Sequence, residues 1–397
     1  MTIWKLGCRW GSKSDDTPLF YHLLKERHIV IGVWSNTYEV NDLVFLTDGH
    51  AGLGIAKVLT KPVSVLNFPD LKEEFKKLWI EYSDKLFVAD AAIYDLPRRG
   101  ELNYPTQIGI CRINPYNMHA LVTDIQQRYN EFEQMQHLQD TIDLLKAKGQ
   151  IVLQGPPGTG KTRMAEQIAD RLAAKPAHRK LIQFHPAYAY EDFVRGIVAD
   201  TTSAGSLRYQ AENKVLAELA EQAAADSGND YVLIIDEINR ANLPAVLGEL
   251  IYALENRGKE VDSVYGLGAD KNRVLRLPSN LYIIGTMNTA DRSVGHMDYA
   301  IRRRFAFVTV LPDANVVPEG PARRLFEQVQ QLFETHMSPE FDMHDVQPGH
   351  SYFLVKDDSG LTLRQKLEYE LRPLLHEYLR DGILLPTAKQ QVNSLGA

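Results

Sequence analysis

The residues with the clearest chemical meaning form a glycine-rich segment that fits the pattern GxxxxGK[ST]. It consists of Gly155, Pro156, Pro157, Gly158, Thr159, Gly160, Lys161 and Thr162. The apolar run Ile151–Leu153 precedes it and a helical pattern follows, which is the context that this motif requires. Glycines let backbone N–H groups point at phosphate oxygens, and a helix N-terminus adds a favourable partial charge. We therefore expect a nucleotide site in which Lys161 reaches the β- and γ-phosphates and Thr162 binds Mg²⁺.

Two carboxylates end a second apolar run about 75 residues further on. Tyr231–Ile235 reads as a buried strand, and Asp236 and Glu237 follow it directly. Side chains at the carboxyl ends of parallel strands meet the ligand of an open α/β sheet. We expect Asp236 to hold Mg²⁺ through its water shell and Glu237 to polarise the attacking water.

A third apolar run, Leu281–Thr286, leads to the polar Asn288, which could orient that water from a neighbouring strand. Beyond it, three adjacent arginines, Arg302–Arg304, close a short helical pattern, and they cannot all lie in a core. Two readings stay open for them. They form a solvated basic helix end that the helix dipole stabilises, or they supply an arginine finger to the γ-phosphate of a neighbouring subunit.

Alternating strands and helices must position these residues. Strand patterns are followed by helical patterns from about residue 133, and this alternation predicts a parallel sheet covered by helices. The strands are expected at Gln150–Gln154, Lys180–Phe184, Tyr231–Ile235, Leu281–Thr286 and Phe305–Val310. The helices are expected at Thr162–Ala174, Ala211–Asp226 and Ala245–Glu255, with a hairpin within Gly258–Pro278.

The pattern divides the chain into four parts. Residues 1–117 contain short apolar runs separated by turn residues, which indicates a small β-barrel-like domain, with one helix around Leu71–Tyr82. Residues 118–132 are polar and glutamine-rich and read as a helical linker. Residues 133–311 hold the phosphate-loop core, and residues 312–397 read as a helical lid.

Composition excludes several classes of protein. The 397 residues carry 44 basic and 51 acidic side chains, a net charge of −7, so the chain is not a generally basic nucleic-acid coat. Two cysteines are too few for a disulfide framework. No apolar run reaches 18 residues, and the N-terminus lacks a signal-peptide pattern. We expect a cytoplasmic protein without a membrane partner.

Together these blocks resemble the AAA+ ATPases, and specifically the McrB branch, the GTP-driven motor of modification-dependent restriction. The similarity extends over residues 133–385, and Asn288–Ser293 is its most specific part because generic AAA+ proteins lack that block. It is carried by Gly155–Thr162, Phe184–Gly196, Ile235–Asn242, Gly285–Ser293, Asp298–Phe305, Gly349–Phe353 and Leu367–Leu375.

The resemblance implies an oligomeric state, a partner and a nucleotide preference, which the spacing of the motifs alone does not indicate. Members form hexameric rings with the nucleotide between subunits and work with McrC, which stimulates hydrolysis and carries a nuclease. Asn288, Asp291 and Arg292 match the family's signature triplet, and Arg302 and Arg303 match its arginine-finger region. The family prefers GTP, so GTP is expected here by analogy, with ATP as the alternative.

The N-terminal domain resembles the PUA-like superfamily, which includes EVE and YTH modules that accept a flipped, modified base between aromatic walls. Trp10 and Trp34 are candidate walls, and Ser12 and Asn36 are candidate hydrogen-bonding groups for DNA. In the alternative reading, each tryptophan packs into the domain's own core. Basic residues nearby, such as Lys5 and Arg9, could contact phosphates.

Asp70, Glu74 and Lys76 do not indicate a nuclease site. All three lie at the start of one amphipathic helix, whereas a metal-dependent nuclease needs carboxylates that converge on one metal.

The leading hypothesis is a nucleoside-triphosphatase, GTPase or ATPase, in a McrBC-like antiviral restriction complex. It recognises DNA and drives a partner nuclease without cutting DNA itself. Two alternatives remain: a nucleotide-gated oligomeric scaffold, and an adaptor whose N-terminal domain binds RNA or protein.

Overall fold

The computed structural model describes residues 1–9, 19–35, 37–78, 83–105, 109–200, 208–268, 270–291, 297–355 and 361–396. Their contacts divide the chain into two compact units, Met1–His137 and Leu138–Ala397. Each unit has its own hydrophobic core.

The first unit is rich in β-structure, as the sequence predicted. Its described strands are β1 (Ile3–Gly7), β2 (Ile29–Gly32), β3 (Leu43–Asp48), β4 (Ala51–Val58), β5 (Val63–Ser64), β6 (Phe87–Asp95) and β7 (Ile110–Arg112). They pair in the order β2-β6-β4-β3-β1-β7, with β5 also on β6. Among the described residues β2 and β7 do not pair with each other, so these pairings form an open path rather than a closed barrel.

Three α-helices accompany this sheet among the residues that the structure describes. They are α1 (Tyr21–Arg27), α2 (Pro69–Lys77) and α3 (His119–Lys148). Helix α2 buries Leu71 and Phe75, which lie four residues apart on one face. The carboxylates of Asp70 and Glu74 both belong to this single helix, as the rejection of a nuclease site assumed.

The sequence suggested residues 118–132 as a helical linker. Helix α3 contains residues 119–132 of that segment and extends 16 residues further. Ile125 and Tyr129 are buried in the first unit, whereas Ile142 and Leu145 are buried in the second. The contact boundary therefore falls inside the helix, after His137. Among the described residues, no helix is both long and apolar enough to span a bilayer.

The second unit contains the parallel sheet that the sequence predicted. Its five strands are β8 (Gln150–Gly155), β9 (Arg179–Gln183), β12 (Tyr231–Asp236), β15 (Leu281–Asn288) and β16 (Ala306–Thr309), in the order β16-β8-β15-β12-β9. All neighbouring pairs are parallel. Strands β8, β15 and β12 are neighbours in this order. Their carboxyl ends therefore lie side by side, and these ends carry the glycine-rich loop, Asn288 and Glu237 in turn.

Two antiparallel hairpins lie off this sheet. The expected excursion after Gly258 is β13 (Glu260–Leu267) with β14 (Asn272–Arg276), and a second hairpin consists of β10 (Arg195–Asp200) and β11 (Arg208–Asn213). The second hairpin was not expected from the sequence, in which residues from Ala211 onward were predicted to be helical. The buried Arg195 links the hairpins by donating hydrogen bonds to the carbonyls of Tyr265, Asn272 and Val274.

The helices of the core flank the sheet, and two of them differ from the prediction. They are α4 (Lys161–Leu172), α5 (Tyr190–Phe193), α6 (Val215–Ala225), α7 (Leu243–Leu247), α8 (Leu250–Glu255) and α9 (Tyr299–Arg302). Helix α6 begins at Val215 rather than at Ala211. The helix expected over Ala245–Glu255 is split, because Gly248 adopts a φ of +50° and ends α7.

Helices also dominate the C-terminal part of the second unit. They are α10 (Pro321–His336), α11 (Met343–Val346), α12 (Leu363–Lys366), α13 (Arg372–Arg380) and α14 (Lys389–Ser394), with a π-helical turn at Leu367–Leu371 between α12 and α13. They enclose a separate cluster of buried side chains that includes Phe326, Phe333 and Phe353.

Candidate functional site

The glycine-rich loop joins a buried strand to a helix. Strand β8 ends at Gly155 and α4 begins at Lys161, so the loop delivers its backbone to the N-terminus of a 12-residue helix. Gly158 and Gly160 have φ values of +80° and +83°, which favour glycine, and Thr159 Oγ1 donates to the Pro156 carbonyl at 3.1 Å. The loop is therefore a compact turn suited to holding an anion at a helix start.

Lys161 is folded back onto this loop. Its side chain is only 7% exposed, and Nζ donates to the carbonyls of Gly155 at 2.9 Å and Pro156 at 2.7 Å. Burial lowers the pKa of Lys161 to about 8, although the nearby Glu237 and Asp236 oppose this shift. The ammonium group therefore lies in a poorly solvated position where a polyanion would be a strong partner.

Asp236 lies at the end of β12 and is held through one carboxylate oxygen. Its Oδ1 accepts hydrogen bonds from Thr162 Oγ1 at 2.8 Å and from Thr286 Oγ1 at 2.6 Å. No described residue donates a hydrogen bond to Oδ2. The hydroxyl of Thr162 and the carboxylate of Asp236 are the hard oxygen donors that Mg²⁺ prefers, so these residues fit the expected cation.

Glu237 has an unusual backbone and a partly satisfied side chain. Its φ of +54° places it in the left-handed region, which is uncommon for a residue other than glycine. Asn288 Nδ2 donates to Oε1, while Oε2 is buried without a hydrogen-bond partner among the described residues and lies 3.4 Å from Arg240 Nε. Burial raises the pKa of Glu237. A carboxylate that has one oxygen held by a hydrogen bond and the other without one can accept a proton from water.

The structure thus brings Lys161, Asp236, Glu237 and Asn288 to one edge of the sheet. Asp291 lies beside them, because Arg240 Nη2 contacts its Oδ2 at 2.9 Å while the same guanidinium faces Glu237. Arg240 was not singled out in the sequence. Arg240 ends a short 3₁₀ helix three residues after Glu237. This spacing is the sequence signal that could have identified it. Arg292 lies outside the described residues.

The three arginines at the end of α9 occupy different environments. Arg302 and Arg303 are exposed; the guanidinium of Arg302 lies 4.9 Å from the Phe307 ring centroid, and Arg303 Nε lies 3.5 Å from Glu255 Oε1. Arg304 is buried, and its Nη2 contacts Glu255 Oε2 at 3.1 Å. Arg304 therefore belongs to the core, whereas the other two lie at the surface.

The glycine-rich loop makes a close contact with the helical C-terminal part, which the sequence did not predict. Gly349 N donates to the Pro157 carbonyl at 2.9 Å, and Ser351 N donates to the Gly158 carbonyl at 3.0 Å. A Cβ atom on Gly349 would lie only 2.1 Å from the carbonyl carbon of Gly158. A glycine at 349 is the condition for this backbone-to-backbone approach.

The loop after Asn288 touches the same region, since Thr289 Oγ1 donates to the Asp345 carbonyl at 2.7 Å. Residues 345–351 therefore contact both the phosphate loop and the segment that carries Asn288.

We expect Gly349→Ala to weaken nucleotide binding and lower the melting temperature, because the added methyl group forces the two backbones apart. Such an overlap costs about 1–3 kcal/mol, and about 1 kcal/mol shifts the melting temperature by ~2–4 °C in a unit of this size. Thermal unfolding with and without nucleotide measures both effects. Gly228→Ala is the control, since nothing lies within 4 Å of a Cβ there. Equal behaviour of the two variants would contradict the expectation.

The candidate DNA-binding residues are only partly described. Trp34 is 62% exposed, so the alternative in which it packs into the core is wrong. Trp10, Ser12 and Asn36 lie outside the described residues. Lys5 is a correction to the sequence analysis, because it is 1% exposed and cannot reach a phosphate. Arg9 is also engaged, with its Nε 2.7 Å from Asp48 Oδ1.

Comparison with known proteins agrees with this geometry. Residues 150–305 match the family model of the AAA domain, dynein-related subfamily. The chain is 33% identical over 258 residues to the EcoKMcrB subunit of the type IV methyl-directed restriction enzyme of Escherichia coli, an alignment that covers 60% of this chain and 55% of that one.

Two further relatives match part of the chain. The YdiS component of the type II restriction enzyme BsuMI of Bacillus subtilis is 27% identical over 189 residues, covering 39% of this chain and 55% of its own. Protein sickie of Drosophila melanogaster is 27% identical over 261 residues, covering 62% of this chain but 11% of its own. The chain thus spans about half the length of the bacterial relatives that it matches.

Proposed function

We propose that this chain, a McrB-like AAA+ protein, is the nucleotide-hydrolysing motor subunit of a DNA restriction system. The observation that carries the proposal is the meeting of Lys161, Asp236, Glu237 and Asn288 at the ends of three adjacent parallel strands. Lys161 and Asp236 bind phosphate and cation, and Glu237 and Asn288 act on water. A scaffold that only bound nucleotide would need the first pair but not the second.

In the proposed reaction, water attacks the γ-phosphorus and the bond to the β–γ bridging oxygen breaks. Glu237 Oε2 accepts the proton of the water, while Asn288 holds Oε1 and so fixes the direction of the carboxylate. Lys161 and the loop N–H groups bind the phosphate oxygens. When bound, Mg²⁺ would be held by Thr162 and by Asp236 through its water shell, and it would neutralise charge on the phosphates.

The remaining steps depend on assembly. In the proposed hexamer, Arg302 and Arg303 extend from one subunit toward the γ-phosphate of the next, where a cation stabilises the charge of the transition state. Both side chains are exposed, which this role requires. Asp291 supports the site through Arg240, and Arg292, which follows it in the sequence, stays a proposed catalytic residue. GTP is the proposed substrate, with ATP as the alternative.

The proposed partners are modified DNA and a McrC-like nuclease. Residues 1–117 form the proposed recognition domain, with Trp10, Ser12, Trp34 and Asn36 at a pocket for a flipped base. The exposed face of Trp34 supports the proposal, because base stacking needs an accessible ring. The chain itself is proposed to lack nuclease activity, and the cytoplasm is its proposed location.

The decisive experiment measures phosphate release from GTP and from ATP together with the mass of the oligomer under the same conditions. We expect hydrolysis of one nucleotide in preference to the other and a ring-sized mass in its presence. A chain that assembles with nucleotide but releases no phosphate from either, alone or with a McrC-like protein, would be a scaffold instead.

We expect Trp34→Ala to weaken binding of a short duplex that carries a modified base by about 10-fold, because stacking on one aromatic ring contributes about 1–3 kcal/mol. Fluorescence anisotropy with modified and unmodified duplexes, RNA and a McrC-like protein measures the loss and tests the adaptor alternative. Tyr116→Ala is the control, because Tyr116 is 93% exposed in the same unit. Unchanged affinity for modified DNA would remove Trp34 from the site.

A further inference from the structure

The hydroxyl group of Thr286 lies between the two carboxylate residues of the site. Thr286 belongs to β15, two residues before Asn288, and is 2% exposed. Its Oγ1 donates to Asp236 Oδ1 at 2.6 Å and accepts the backbone N–H of Glu237 at 3.1 Å. One side chain on the neighbouring strand therefore contacts both the proposed cation-binding residue and the proposed base.

The two hydrogen bonds of Thr286 Oγ1 determine the direction of its hydroxyl proton. A threonine hydroxyl has one proton to donate and lone pairs that accept. The N–H of Glu237 can only donate, so it uses a lone pair of Oγ1, and the hydroxyl proton is directed to Asp236. Because Thr162 donates to the same Oδ1, the pair of hydroxyls fixes the rotation of the Asp236 carboxylate and leaves Oδ2 for the cation.

The second bond acts on the backbone of Glu237. A residue other than glycine in the left-handed region is strained and persists where its surroundings hold it. The N–H bond to Thr286 is one such restraint, and it lies at the position whose φ is +54°. The direction of the Glu237 side chain follows from this backbone, so the restraint helps to keep Oε2 where it can accept a proton from the attacking water.

We propose that Thr286 is a positioning residue for nucleotide hydrolysis, which orients Asp236 toward the cation and Glu237 toward the water. The inference rests on the proposed function, since it concerns the same site. It requires the hydroxyl and not the methyl group of Thr286. Serine at this position keeps the role, and valine, which has nearly the same shape, loses it.

The test compares Thr286→Val and Thr286→Ser with wild type. We expect valine to lower kcat about 10- to 100-fold with a change in the KM for nucleotide below about 3-fold, and serine to stay within a few-fold of wild type. Thr309→Val is the matched control, because Thr309 lies at the end of β16 in the same sheet. Among the described residues, its hydroxyl accepts a hydrogen bond only from Gln154 Nε2.

A second readout does not depend on turnover. Mn²⁺ is titrated into the protein–nucleotide complex and followed by electron paramagnetic resonance, and we expect valine to weaken Mn²⁺ binding about 2- to 3-fold, in line with the limit on the KM, and serine to restore it. If Thr286→Val does not fold, as judged by circular dichroism, Thr286→Ala takes its place. Wild-type kcat and Mn²⁺ affinity in the valine variant would overturn the proposal, and so would a serine variant as impaired as valine.

Failure of the proposed function gives a different result. A wild-type protein that hydrolyses neither GTP nor ATP would refute the proposed function, whereas the Mn²⁺ titration would still show whether Thr286 orients Asp236.

Discussion

Replacing Glu237 with glutamine is expected to leave nucleotide binding intact and to lower kcat by about 10²- to 10⁴-fold, the usual contribution of a general base. Glutamine retains the shape of the side chain and an oxygen that can accept from Asn288 Nδ2, but it cannot take a proton from water. Phosphate release in multiple turnover measures the loss, and equilibrium binding of a fluorescent nucleotide shows that the site is intact.

The pH profile separates this role from a structural one. Burial raises the pKa of Glu237, so its carboxylate becomes protonated at a higher pH than an exposed glutamate does. Wild-type kcat should therefore fall as pH decreases through this raised pKa, and the acid limb should be absent from the residual activity of Glu237→Gln. Glu218→Gln, an exposed change on α6, is the control. Turnover by Glu237→Gln at the wild-type rate would show that another group accepts the proton.

The parallel sheet and its reactive edge could be predicted from the sequence because buried strands are nearly continuous apolar runs. Tyr231–Asp236 and Leu281–Asn288 both end on a polar side chain, and adjacent parallel strands bring such ends together. The contacts of Asp236 with Thr162 and of Glu237 with Asn288 follow from that arrangement.

Other features depend on contacts between distant parts of the chain, and local pattern does not reveal these. Gly349 is 191 positions from Gly158 in the sequence, and only packing shows that the two backbones meet. Thr286 looks like an ordinary β-branched strand residue until the neighbouring strand places Asp236 beside it. Lys5 seemed available to DNA because lysine is usually exposed, yet the fold of the first unit buries it.

Local pattern also misled where a strand has few apolar residues. Arg208–Asn213 forms β11, which pairs with β10, but its polar composition and the helical residues that follow it favoured a helix from Ala211. Likewise, a run of good helix formers extends across Gly248, where a positive φ divides it into α7 and α8. In both cases the tertiary contacts outweighed intrinsic propensity.

The second large effect is expected at Lys161, where substitution with alanine should weaken nucleotide binding by about 100-fold or more. Removing one partner of a buried charge pair costs about 3–5 kcal/mol, and each 1.4 kcal/mol is a factor of ten. Isothermal titration calorimetry with GTP and ATP measures the affinity. Lys259→Ala is the control, since Lys259 is an exposed lysine that donates to Asn256.

The pKa of Lys161 gives this prediction a second, independent test. In the folded protein without nucleotide the pKa of the Lys161 ammonium is about 8, whereas in the unfolded chain its pKa is the ordinary value of 10.5. Nucleotide affinity of wild type should therefore fall as pH rises above about 8, because the phosphates must first recruit a proton to the lysine. The contribution of this group to folding stability should rise over the same range, since the unfolded state binds more protons there. Lys161→Ala should lose both trends, and their persistence in that variant would assign them to a different group.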